Sequence, residues 1–202
     1  MKITYYGHSC FLVESQNHSI LFDPYEDGSV PGLKLPNNLS VDQVYCSHEH
    51  ADHSAAHLVR SVCKDPWNTQ FIQVPHDHHN GTKRGFSNIT IVTVEGLKVV
   101  HLGDLGRLPT NEEYEVLKDA SVLMIPVGGY YTIDSSEANE IIQTIKPSLT
   151  ILMHYRNHDI GYDVLEDIQE IHISNVQRYH TSTIEVTDEQ LKEIITLEPK
   201  QK

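Results

Sequence analysis

The stretch Ser47-His48-Glu49-His50-Ala51-Asp52-His53 places three imidazoles and Asp52 in the order H-x-H-x-D-H. That is more ligand chemistry than a surface turn needs for its own stability. A β-strand sends alternate side chains to the same side, so His48 and His50 at a strand end would both reach one ion. Asp52 and His53 follow where the apolar positions Ala55, Leu58, Val59 and Val62 suggest the start of a helix, and they face elsewhere, towards a second ion. Imidazole and carboxylate without thiolate suit Zn²⁺ or another divalent first-row metal (Mn, Ni or Fe), with coordination positions left open for water.

Outward from this stretch, the first two-thirds of the chain reads mostly as short strands. Lys2 to Tyr6, Cys10 to Glu14 and Ser19 to Asp23 are β-rich runs separated by Gly7-His8-Ser9 and Ser15-Gln16-Asn17-His18, the pattern of a meander. Residues 25 to 39 carry Gly, Pro, Asn and Asp without a period and are expected to be an exposed loop near the strand ends, a candidate cover for the site. Val41 to Ser47 is the strand expected to deliver H-x-H. Gln70 to Val74 is a further strand, and Asn88 to Val94 with Leu97 to Leu102 make a hairpin across Glu95-Gly96. Thr110 with Glu113, and Asp134 with Glu137, are capping boxes. The second opens a helix whose apolar face, Ala138, Ile141, Ile142 and Ile145, ends at Pro147. Val122 to Pro126 and Leu149 to Met153 are strands, Val164 to Ile171 a short helix, and Thr183 to Val186 and Ile194 to Leu197 strands at the second sheet's edge.

A chain of 202 residues fits one well-buried domain, 1-202. With 28 Asp+Glu against 15 Lys+Arg the formal charge is -13, so extended nucleic acid or an anionic membrane surface would meet general repulsion. Cys10, Cys46 and Cys63 are widely spaced and form no C-x-x-C pair, which reads as reduced, mostly buried thiols. Absence of a long apolar run makes a cytoplasmic location the expectation.

Together with Gly7-His8-Ser9, Leu21-Phe22-Asp23-Pro24, His101-Leu102-Gly103-Asp104-Leu105-Gly106 and Met153-His154-Tyr155, the central motif resembles the metallo-β-lactamase superfamily of metal-dependent hydrolases. Within it the chain is similar to the branch of L-ascorbate-6-phosphate lactonase and small uncharacterised hydrolases. The resemblance implies an α/β fold, the four-layer αββα sandwich, and a dinuclear centre. It matches His48, His50 and His76 to one ion, Asp52, His53 and His154 to the other, and Asp104 to the carboxylate bridging both. His76 shares its loop with His78 and His79, and the Asp77 and Gly81-x-x-Arg84-Gly85 that follow it resemble the related hydrolases. Two such ions can share a hydroxide whose pKa is lowered towards neutrality and can polarise the oxygen of the bond to be cleaved. Asp52 would then be both a ligand and an orienting acceptor, and Asp23 an acceptor for a ligand imidazole's second N–H; as a plain turn residue before Pro24, Asp23 would do neither.

His8 is a candidate to contact substrate or act as an acid; the alternative is a hydrogen-bonded turn histidine. His101 reads as a buried, satisfied imidazole. Arg84, conspicuous with Lys83 in an acidic chain, is a candidate for bidentate binding of a phosphate or carboxylate, unless the pair is simply solvated. Pro126-Val127-Gly128-Gly129-Tyr130-Tyr131 is a strand exit at which substrate could approach the backbone and Tyr131 line the pocket. The expected activity is therefore hydrolysis of a small anionic ester, lactone or phosphodiester. A nuclease of the same fold is disfavoured by charge, a di-iron redox relative by His50 standing where a carboxylate would be expected, and a non-catalytic metal-binding protein by the complete ligand set. Substrate identity, native metal and oligomeric state are not encoded in any of these motifs.

Overall fold

The computed structural model describes residues 1–15, 18–62, 67–187 and 192–200. Gln16 and Asn17 of the first expected turn, and Cys63, lie outside the described residues; Cys10 is a buried free thiol and Cys46 a half-buried one. Strands β1 (Lys2–Gly7), β2 (Cys10–Ser15) and β3 (His18–Phe22) form the expected antiparallel meander. Apolar side chains occupy both faces of it: Ile3, Tyr5, Phe11, Val13, Ile20 and Phe22 on one, Tyr6, Leu12 and Leu21 on the other. A meander apolar on both faces has to be covered on both sides.

The expected strand from Val41 to Ser47 is broken in two, β4 (Ser40–Val41) and β5 (Gln43–Tyr45). At the break, the Asp42 carboxylate accepts from both the backbone N–H and the hydroxyl of Ser19, each at 2.8 Å. Beyond it β5 runs parallel to β3, while β4 leaves the sheet to pair with β6 (Arg60–Ser61). The helix expected after His53 is accordingly only a 3-10 turn, Ala56–Leu58, with no side-chain cap. Arg60 and Val62 donate their N–H groups to Leu39 and Val41 at 2.9 and 3.0 Å, bonds a helix could not make. Only Ala55 and Val59 of the supposed apolar stripe are buried; Leu58 and Val62 are exposed.

The second sheet has the order β12-β14-β11-β10-β9-β8-β7. It contains β7 (Thr69–Pro75), β8 (Phe86–Val94), β9 (Leu97–His101), β10 (Val122–Pro126), β11 (Leu149–Met153), β12 (Val176–Tyr179) and β14 (Glu193–Leu197). The β8–β9 hairpin turns at Glu95 and Gly96, both with positive φ. Strand β14 lies inside this sheet, parallel to β11 and β12, rather than at its edge, and β13 (Thr183–Glu185) pairs with β1 at the edge of the other sheet. Both capping boxes are formed, at the starts of α1 (Asn111–Leu117) and α2 (Ser135–Ile145). No helix forms over 164–171. The backbone there is claimed by neighbouring loops: Glu166 N–H donates to Gly128 O and Ile168 N–H to Arg156 O, each at 2.8 Å.

Three apolar clusters define four layers. One lies between the sheets, another joins the outer face of the seven-stranded sheet to α1 and α2, and the third covers the outer face of the meander with Tyr25, Val30, Leu33, Leu35, Val41 and Val59. This is the α/β, αββα sandwich, with one outer layer supplied by the 24–62 segment. The stretch 25–39 is thus the irregular, largely exposed loop expected from its Gly and Pro content, except that Tyr25, Val30, Leu33 and Leu35 are buried as core. Among the described residues no helix is long and apolar enough to cross a membrane.

The loops at one end of the sheets interlock closely. Gly106 donates its N–H to Pro75 O at 2.9 Å, and a Cβ on it would overlap the backbone nitrogen of Asp77. Gly106→Ala should therefore destabilise the fold by about 1–3 kcal/mol in chemical denaturation, the cost of forced overpacking, and displace His76. Wild-type stability would show that the two loops can separate freely.

Candidate metal centre

His48, His50, His76, Asp104 and His154 sit just past strand ends, and Asp52 and His53 follow in the turn after His50. His48 and His50 lie in a bend beyond β5, so strand alternation does not align them as expected; the bend itself brings their ring nitrogens, with one from His76, within 4.8 Å of one another. Asn88 fastens this bend, its backbone N–H and side-chain amide both donating to Ser47 O at 2.9 Å. His78 and His79 stay outside: His78 pairs with Glu137 at 3.0 Å, and His79 is exposed. A second set of donor atoms within the same 4.8 Å limit comes from His8, Asp52, His53 and His154, and a third from His48, His53 and Asp104.

Asp104 is at the centre. Its Oδ2 lies 3.2 Å from His154 Nε2, 3.4 Å from His53 Nε2, 3.4 Å from His76 Nε2 and 4.0 Å from His48 Nε2. Yet Nε2 of His48, His53 and His154 and Asp104 Oδ1 are buried without a hydrogen-bond partner. The His154 contact is short enough for a hydrogen bond but lacks the direction for one. Buried polar atoms normally find partners, and ring nitrogens aimed together at one carboxylate are best satisfied by a cation between them. This donor set fits a divalent metal.

The far sides of the His48 and His53 rings are held, whereas Nδ1 of His76 and of His154 is buried without a partner. Asp23, with φ 44°, accepts from Ser47 N–H at 2.6 Å, from Ser47 Oγ at 2.7 Å and from His53 Nδ1 at 2.8 Å. Because Ser47 spends its hydroxyl proton on Asp23, its Oγ at 2.9 Å receives the Nδ1–H of His48, leaving His48 Nε2 bare. Asp23 thus anchors the site, as expected of a residue supporting the ligands. His101 is buried and satisfied as read: Nε2 donates to Ser9 O at 2.9 Å and Nδ1 accepts from Gly103 N–H at 3.1 Å, and the ring stacks on Phe22.

Burial lowers the pKa of His48 to about 3 and of His8 to about 4, and lowers that of His76, so these rings are neutral and able to ligate at pH 7. His53 goes the other way. Burial opposes its protonation, but the facing carboxylates of Asp104 and Asp23 outweigh that and raise its pKa well above the ordinary value. Burial alone would raise the carboxyls of Asp52 and Asp104. The hydrogen bond from His8 and the charge of His53 hold Asp52 down, and His154 and His53 do the same for Asp104.

A cavity of about 270 Å³ opens onto this cluster, lined by His50, Asp52, His76, Arg84, Asp104, Tyr131, His154 and Tyr162. Arg84 sits in its wall with the guanidinium stacked 4.1 Å from the Tyr131 ring centre, while Lys83 is exposed. The loop carrying Arg84 is wound around Asp77, whose carboxylate accepts the N–H groups of His79, Gly81, Lys83 and Arg84 at 2.7–3.0 Å. Burial raises the Asp77 carboxyl, but these four bonds prevail and bring it to about 2. His8 is buried behind Asp52 and is not among the residues lining the cavity. Gly128 presses on the carbonyl of His154, which a Cβ would overlap, so it serves packing against a ligand-bearing turn. Tyr162 is the cavity residue the sequence reading missed; a single Tyr in a turn-rich segment carries no local signal.

A sequence profile of the β-lactamase superfamily domain matches residues 2–154. Similar proteins include a UPF0173 metal-dependent hydrolase of Carboxydothermus hydrogenoformans, 25% identical over 191 residues that span 77% of this chain and 84% of the relative. A UPF0173 protein of Pyrococcus furiosus is 30% identical over 182 residues, 77% of this chain and 83% of its own. Among solved structures, a candidate Zn-dependent hydrolase of the metallo-β-lactamase superfamily from Thermotoga maritima superposes with a TM-score of 0.76 at 28% identity, covering 97% of each chain.

Protonated His53 couples metal loading to pH. Its raised pKa stabilises the metal-free protein fully below the ordinary imidazole value, and that contribution is lost as pH rises through the folded value. A ligand must be deprotonated, so Zn²⁺ binding at pH 7 should release about one proton from His53. In calorimetry the apparent binding enthalpy should change with the ionisation enthalpy of the buffer; a heat independent of buffer would contradict a protonated His53.

Proposed function

The chain belongs to the β-lactamase superfamily, and from that premise we propose that it is a dinuclear metal-dependent hydrolase of a small anionic ester, lactone or phosphodiester. One observation carries this reading: ring nitrogens from both triads, His48 and His76 on one side and His53 and His154 on the other, converge on Asp104 Oδ2 at 3.2–4.0 Å. His48, His50 and His76 would hold one ion, Asp52, His53 and His154 the other, and Asp104 would serve both. Zn²⁺ is the first choice for this donor set, with Mn, Ni or Fe as alternatives. When bound, the ions supply an acidified water as nucleophile and polarise the oxygen of the scissile bond.

The residues of the chain do the rest. Asp52 lines the cavity with its carboxylate ionised and orients the nucleophilic water by accepting its hydrogen bond. Arg84, already aligned by its stack on Tyr131, receives the substrate's anionic group through the planar fork of its guanidinium. The preformed Asp77 loop means that little of this geometry has to be ordered on binding. A cavity of about 270 Å³ and a formal charge of -13 support a small molecule over nucleic acid.

Protein reconstituted with Zn²⁺ or Mn²⁺ should hydrolyse some member of a panel of lactones, thioesters and phosphodiesters, and a chelator should abolish the activity. Asp104→Ala should reduce metal content at both positions and His154→Ala mainly at one; equal losses would contradict a shared carboxylate. Arg84→Ala should leave metal content unchanged and lower kcat/KM for anionic substrates by roughly ten- to a hundredfold, the worth of a charge-assisted hydrogen bond of about 1.5–3 kcal/mol. Neutral analogues should suffer much less. An equal loss on charged and neutral substrates would make Arg84 a structural residue of its loop.

A further inference from the structure

The match to the superfamily profile ends at residue 154, and Tyr162 lies beyond it, yet Tyr162 lines the cavity. The segment carrying it is clasped to the body of the protein. Arg156 pairs with Asp167 at 3.0 Å, Arg156 N–H donates to Glu166 O at 3.1 Å, and Gly161 N–H donates to Pro31 O at 2.9 Å. The Tyr162 ring is thereby set edge-on against Tyr131 and His8, with centroids 5.8 and 5.7 Å away. Its hydroxyl lies 2.7 Å from Ser29 O and 3.2 Å from Asp52 Oδ2. Both of those atoms are acceptors, so the single hydroxyl proton is shared between them.

His8 meets the same carboxylate oxygen from the other side, with Nε2 3.2 Å from Asp52 Oδ2. An ionised carboxylate only accepts, so His8 carries its proton on Nε2, and its Nδ1 is left as a buried acceptor without a partner. The turn that presents His8 is itself fixed: φ is 56°, and the His8 carbonyl accepts from the Tyr5 hydroxyl at 3.1 Å and from His154 N–H at 2.9 Å. Asp52 needs this support more than the other members of its triad. Its side chain is 17% exposed, against 0% for His53 and 1% for His154, so water competes for it alone.

We propose that Tyr162 and His8 form a two-sided bracket on Asp52 Oδ2, making Tyr162 a positioning residue for the ion held by Asp52, His53 and His154. The bracket stops the carboxylate from swinging into the cavity and leaves it aimed at His53 Nε2, 3.6 Å away. It rests on the dinuclear reading above. Its distinctive feature is that one arm comes from the β1–β2 turn and the other from the clasped segment past residue 154, so the affinity of one ion depends on chain outside the stretch that the superfamily profile matches.

The test is competitive titration of metal-free wild type, Tyr162→Phe, His8→Ala and His8→Gln with Zn²⁺ against a chromophoric chelator. Tyr162→Phe keeps both ring contacts and loses only the hydroxyl. It should bind one ion as the wild type does and the other roughly ten- to a hundredfold more weakly, the usual cost of removing an outer partner of a ligand. His8→Ala should weaken the same ion, and His8→Gln, whose amide can place a donor near the position of Nε2, should recover part of the loss. For any substrate found, Tyr162→Phe should lower kcat at saturating Zn²⁺ with little change in KM. Wild type binding two ions with Tyr162→Phe indistinguishable from it would overturn the bracket and leave the dinuclear reading standing. Wild type binding fewer than two would overturn that reading and the bracket with it.

Discussion

A carboxylate buried to 2% exposure among imidazoles from three separate loops is the interaction on which this structure turns. An isolated buried carboxylate is expensive, and attraction to its neighbours compensates only when geometry and hydrogen bonding are good. Asp104 has the attraction, with Nε2 of His53, His76 and His154 each within 3.4 Å, but its Oδ1 has no hydrogen-bond partner, the gap that a bound cation would fill. No single element supplies these rings. His53 follows the bend after β5, His76 follows β7, Asp104 follows β9 and His154 follows β11, so the site exists only when both sheets are stacked and in register. Fold and site therefore fail or form together.

The strain needed to aim those loops is carried at the site. His8, Asp23 and His154 all adopt positive φ, a conformation that non-glycine residues hold only when their surroundings over-determine it. In each case the determinants can be named. The His8 carbonyl receives two donors, Asp23 receives three, and His154 has Gly128 pressed on its own carbonyl. Hydrogen bonds behind His48 and His53, to Ser47 Oγ and Asp23, thus orient those two rings and turn their Nε2 towards Asp104.

Much of this was legible in the sequence because its signals are local. H-x-H-x-D-H announces its chemistry by density alone, the two capping boxes set the starts of α1 and α2 three residues from their partners, and Glu95-Gly96 fixes the hairpin. Errors arose where distant partners decided the outcome. Ala55 and Val59 sit four residues apart like a helix face, but the free N–H and C=O groups of β4 drew the chain into an extended pair. Asp42 broke the strand before His48 through a bond to Ser19, twenty-three residues away. The segment 25–39 reads as polar loop by composition, yet its few apolar residues are those that cover the meander. Strand β12 passed unnoticed because its middle residues are exposed and only its parallel pairing with β14 defines it. Tyr162 was invisible for the same reason, since its place depends on Arg156 meeting Asp167. The choice of His76 over His78 and His79 follows from which of the three reaches His48 and His50, a matter of loop path that spacing alone cannot decide.

The central claim is that two ions share Asp104, and anomalous diffraction from crystals of the Zn²⁺-reconstituted protein tests it most directly. The account predicts two peaks about 3.5–4 Å apart, one among His48, His50 and His76 and one among Asp52, His53 and His154, with an Asp104 oxygen bound to each. A single fully occupied peak at saturating Zn²⁺, or two peaks with Asp104 bound to neither, would contradict it.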